Sequence, residues 1–136
     1  LLHFADRSKN MIRRSGENIS AAEVEGALIS SPLVGRVAVI AVPDEMRDEE
    51  VMACVIPAPG VAPGPAVAQA LQDHAADWLA YYKVPAWVCF LEDLPITGTQ
   101  KIQKFAIFPR GTDPRSAPGC HDLRERKSAL RRKVSA

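Results

Sequence analysis

The 136 residues are 47% apolar and 24% charged, which suits one globular domain with a real core and excludes a disordered or low-complexity chain. No apolar run approaches the roughly 20 residues that cross a bilayer, so no membrane span is expected. The net charge of +1 hides an asymmetry: residues 1–109 carry nine Lys and Arg against thirteen Asp and Glu, residues 110–136 eight against three.

A basic tail on an acidic body raises the question of nucleic acid. This tail lacks interleaved aromatics and any recognisable reading element, so no nucleic-acid partner is expected. Leu1 opens the chain with no basic-then-apolar leader behind it, as in a piece cut from a longer protein. Cys54, Cys89 and Cys120 form no C-x-x-C pair. They read as small hydrophobes rather than as metal or redox groups, and cytoplasmic residence follows as the default.

In chain order, Met11–Arg13 and Glu17–Ile19 flank Arg14-Ser15-Gly16, a tight hairpin with Gly16 at the permissive position. Ser20-Ala21-Ala22-Glu23 matches a capping box, and Val24, Ala27, Leu28 and Ser31 continue at helical spacing, predicting a helix over 21–30 that Pro32 ends. Val37–Val42 and Glu50–Ile56 read as strands. A Pro/Gly loop follows, then a helix over 66–81 with Val67, Leu71, Ala75 and Trp78 along one stripe, and a strand over 87–91. His74 reads as a packed side chain, and Trp78, Trp87, Tyr81 and Tyr82 as core. Lys101–Ile107 is predicted to form a short final helix. From Pro109 onward the pattern predicts an irregular extension with a basic helix around 122–133. The sum is a small α+β domain: an N-terminal hairpin and a three-stranded sheet packed with helices.

Two polar, glycine-bearing segments abut these elements: DRSKNMIRRSGENIS (6–20) and LPITGTQKIQK (94–104). A lysine closing a Thr/Gly loop, as Lys101 does, offers a compact charge on a flexible stem for developing negative charge on phosphate.

The first segment, with Glu23-Val24-Glu25 after it, resembles the eighth core motif of the adenylate-forming superfamily. That superfamily includes acyl-CoA synthetases, firefly luciferase and peptide-synthetase adenylation domains. Tyr82-Lys83-Val84-Pro85, then Leu94-Pro95, Thr97 and Lys101-Ile102, resemble its tenth motif, P-x-T-x-x-G-K-I. The resemblance covers residues 1–108 and implies a hinge segment (1–9), a C-terminal lid domain (10–108) and a basic extension (109–136).

It implies a two-step reaction using a carboxylic acid, ATP with Mg2+, and CoA. Lys101 matches the catalytic lysine of adenylation, Arg7 a nucleotide-binding arginine, and Lys9 the hinge. Ser15, Gly16 and Glu17 match the hairpin beside the CoA arm, closest to the G-G-E-N version of acyl- and aryl-CoA ligases, with a carnitine or medium-to-long-chain acyl ligase the nearest match. The implied partner is the chain's own N-terminal adenylation domain; no metal site of its own is implied. Two positions depart from the pattern. Gln100 stands where the family has glycine, at a cost of about 1 kcal/mol if that position needs positive φ. Ser15 replaces the first glycine of the pair. The rival expectation is a degenerate or stand-alone lid that serves as a partner-binding module.

Overall fold

The computed structural model describes residues 11–95, 107–108 and 113–135. Strands β1 (Met11–Arg14) and β2 (Glu17–Ser20) form the hairpin, pairing Ile12 with Ile19 and Arg14 with Glu17. Ser20 caps helix α1 (Ala21–Ile29), its Oγ accepting from the Glu23 amide at 3.4 Å. The expected return bond of the capping box is replaced: the Glu23 carboxylate accepts from Lys83 Nζ at 2.9 and 3.1 Å.

β3 (Val34–Asp44) and β4 (Asp48–Pro57) form a long antiparallel pair, extending past the predicted runs at both ends. Their side chains alternate between two cores. Val39, Val51, Ala53 and Val55 join Ile12, Ile19, α1 and the next helix on one face; Ala38, Val42, Met52 and Cys54 join Trp87, Cys89 and Leu94 on the other. Burial of both faces explains why these strands are continuous apolar runs instead of alternating ones.

Helix α2 (Pro65–Ala76) leads to a 3-10 turn (Tyr81–Lys83) and then β5 (Trp87–Phe90), which runs parallel to β4. Two expectations are corrected here. The helix ends at Ala76 instead of Tyr81, because Ala80 adopts an extended conformation (ψ 151) that turns the chain toward the sheet. Trp78 then falls off the helical stripe and is 70% exposed instead of core, whereas Trp87 is 7% exposed and buried. His74 is half-buried, its Nε2 2.8 Å from Ser30 Oγ.

The tail also departs from an irregular extension. After a 3-10 turn (Pro114–Ser116), β6 (Cys120–Asp122) pairs antiparallel with β5, and α3 (Arg124–Ser135) follows. The sheet therefore has six strands in the order β2-β1-β4-β5-β6, with β3 also on β4, instead of a separate hairpin and three strands. Gln72, fully buried on α2, secures this closure: its Nε2 donates to Pro85 O (2.9 Å) and Leu123 O (3.0 Å), and Arg126 donates to its Oε1 at 2.7 Å.

Candidate functional site at the hairpin tip

Ser15 (φ 51) and Gly16 (φ 83) both occupy the left-handed region, the two-residue type I′ geometry that matches strand twist. Glycine adopts it freely; serine does so at roughly 1 kcal/mol. The β3–β4 turn offsets that strain, since Ser15 N donates to Arg47 O at 2.9 Å. That turn is itself held by Asp44, whose Oδ2 accepts from the amides of Met46 (3.1 Å) and Arg47 (3.0 Å). Burial works to raise the Asp44 carboxyl, but those amides and Arg124 outweigh it and hold it below the usual range. Ser15, Gly16 and Glu17 are exposed, and a Cβ added at Gly16 would meet nothing within 4 Å. The tip is open on its outer side and anchored beneath.

Beneath it lies a buried charge cluster. Arg14, the residue before the turn, is 3% exposed, Glu50 3% and Lys127 1%. Arg14 Nε donates to Glu50 Oε1 at 2.7 Å, and Lys127 Nζ to Oε2 at 2.6 Å. The Val51 amide adds a third donor at 2.8 Å, and the guanidinium sits 5.7 Å from the Tyr81 ring centroid. One carboxylate thus faces two cations. Burial, reinforced by Arg14 and Arg47 and opposed by Glu50, pushes the Lys127 ammonium down to about 8. Hairpin, β4 and α3 are tied together at this point.

The structure brings Ser15, Gly16 and Glu17 to one exposed tip. Arg7, Lys9 and Lys101 lie outside the described residues, as do Gln100 and the predicted helix over 101–107 apart from Ile107. Sequence reasoning missed Arg14, Glu50 and Lys127 as a unit. One signal was available: Leu123, Lys127 and Leu130 fall at i, i+4 and i+7, a lysine on an apolar stripe.

A groove of about 300 Å³ between α1 and the end of α2 is lined by Glu23, Gly26, Ala27, Ser30, Trp78 and Leu79. Its polar groups are already engaged, Glu23 by Lys83 and Ser30 by Ala27 and His74. Among the described residues no group of three His, Cys, Asp or Glu is placed to hold a metal, and no helix is long and apolar enough to cross a membrane.

The basic tail spends much of its charge on the acidic body. Arg115 pairs with Glu45 (2.7 Å), Arg124 with Asp44 (3.3 Å) and Arg126 with Asp73 (3.3 Å).

Comparison with known proteins places this geometry. The family model of the AMP-binding enzyme C-terminal domain matches residues 23–101. The chain is 42% identical over 106 residues to a probable CoA ligase, CCL11, of Humulus lupulus, covering 78% of this chain and 19% of that protein. It is 39% identical over 104 residues to the benzoate–CoA ligase of Thauera aromatica, covering 76% and 20%. A solved acyl-CoA synthetase from Brucella canis superposes with a TM-score of 0.70 at 33% identity, over 92% of this chain and 20% of that one. The chain therefore spans about a fifth of the length of its relatives, and it belongs to the AMP-binding enzyme C-terminal domain family.

Proposed function

We propose that this chain is the mobile C-terminal lid of an ATP-dependent acyl-CoA synthetase, working on an N-terminal adenylation domain. The parent enzyme converts a carboxylic acid, ATP (as its Mg2+ complex) and CoA to acyl-CoA, AMP and pyrophosphate. The observation that carries this reading is the exposed Ser15–Gly16 turn held rigidly from below, in a chain whose relatives include CoA ligases.

In the first step Lys101 brings its ammonium to the charge that builds between the substrate carboxylate and the α-phosphate, where a fixed cation lowers the barrier most. Arg7 offers paired donors to the nucleotide's oxygens. The lid then rotates about Lys9, where a few backbone torsions absorb the motion. The tip formed by Ser15, Gly16 and Glu17 next faces the CoA arm, and the thiol displaces AMP. Residues 1–9 act as hinge, 10–108 as lid and 109–136 as extension. The lid is inactive alone, and a cytoplasmic location and fatty-acid-like substrates go with this reading.

The test is reconstitution with the separately expressed adenylation domain. Pyrophosphate release should require the lid and fall about 100-fold or more with Lys101→Ala. Thioester formation from supplied acyl-adenylate should survive that change. Pyrophosphate release that is indifferent to Lys101→Ala sinks the proposal.

A further inference from the structure

The three cysteines stand in one row across the sheet. Cys54 on β4 is the register partner of Cys89 on β5, and Cys89 is the partner of Cys120 on β6. Thirty-one positions separate Cys89 from Cys120 in sequence, so only strand pairing brings them together.

The ladder around that pair decides its geometry. Phe90 N donates to Gly119 O at 3.1 Å and Leu123 N to Ala86 O at 2.7 Å. Hydrogen-bonded positions therefore fall at 90/119 and 86/123, and Cys89/Cys120 takes the intervening, non-hydrogen-bonded position. There the Cα atoms of antiparallel strands approach to about 4.5 Å with side chains on one face, inside the roughly 4.4–6.8 Å window of a disulfide. The Cys120 thiol donates to Pro114 O at 3.1 Å and the Cys89 thiol to Pro118 O at 4.0 Å. The neighbouring cysteine holds the Cys89 thiol below its usual range, while Cys89 and burial push the Cys120 thiol up. Access separates the candidates: Cys120 is partly exposed, whereas Cys54 and Cys89 are fully buried.

We propose that Cys89 and Cys120 form a two-electron dithiol site, oxidised to a cross-strand disulfide by low-molecular-weight disulfides that enter at Cys120. In the first step the Cys120 sulfur attacks one sulfur of the small disulfide. The reagent's S–S bond breaks, a mixed disulfide forms on Cys120, and the Cys120 proton leaves with the first small thiol. In the second step the Cys89 sulfur attacks the Cys120 sulfur. The mixed bond breaks, the protein disulfide forms, and the Cys89 proton leaves with the second small thiol. Two protein thiols and one small disulfide become one protein disulfide and two small thiols. The product staples β6, and α3 behind it, to β5.

The experiment treats the whole chain with glutathione disulfide, blocks remaining thiols with an alkylating agent, and maps unreduced peptides by mass spectrometry. The expected product has lost two hydrogens, joins the Cys89 and Cys120 peptides, leaves Cys54 alkylated, and reverts with a dithiol reductant. Its melting temperature should rise by several degrees, and Cys120→Ala should abolish both the cross-link and the rise. Since Cys120 is only partly buried, that variant retains the core; mapping of the unmutated chain decides the matter even if it does not fold. A Cys54–Cys89 link, or a mixed disulfide that stays on Cys120 without closing, overturns the proposal.

Discussion

Lys127 Nζ lies 2.6 Å from Glu50 Oε2, inside the protein and across 77 positions of sequence. Arg14 holds the other carboxylate oxygen at 2.7 Å. This links α3 to the root of the hairpin whose tip is the proposed CoA-side element.

The charge count orders the mutations. Glu50→Gln leaves two buried cations without a counter-charge and should cost about 3–5 kcal/mol. Lys127→Met removes the surplus cation, fills similar volume and leaves Arg14–Glu50 balanced, so it should cost clearly less. Urea denaturation of the three proteins checks the order; equal losses would refute the account.

The same cluster sets a pH dependence. The Lys127 ammonium is pushed down to about 8 in the folded protein, against 10.5 ordinarily. Between those values the unfolded chain binds the extra proton, so this group's contribution to stability rises with pH across the window and is lost as pH falls through about 8. The size is at most about 3.4 kcal/mol. The difference in stability between the unmutated chain and Lys127→Met, followed from pH 7 to 10.5, isolates it. A flat difference would show that burial does not disfavour the charge.

Surface pairs should behave differently. Arg126 reaches Asp73 at 3.3 Å with both side chains exposed. Asp73→Ala should cost about 1 kcal/mol or less, and added salt should erase most of the loss. Thermal melts at low and high salt measure this.

The turn glycines separate strain from collision. Gly16 has positive φ with open space around it, so Gly16→Ala should cost about 1 kcal/mol. At Gly119, also at positive φ, a new Cβ would lie 2.8 Å from Phe90 O. Gly119→Ala should therefore cost more and selectively loosen the β5–β6 pairing, seen as faster amide exchange at Phe90 and Leu123, whose amides donate to Gly119 O and Ala86 O. Ser15→Gly should stabilise by a few tenths to about 1 kcal/mol, by relieving the left-handed serine.

Local pattern alone established the hairpin, the capped helix behind it, the two long apolar strands, the polar segments around Ser15 and Lys101, and the family resemblance they carry. Each of these is written in neighbouring residues, as period, cap, turn or motif. The partnership of Glu50 with Lys127, the Cys89–Cys120 pairing, the inclusion of the tail in the sheet and the exposure of Trp78 were decided only by the folded chain. They depend on contacts between residues remote in sequence, or on where a helix stops. Hydrophobic periodicity marks which face is covered but carries no record of what covers it.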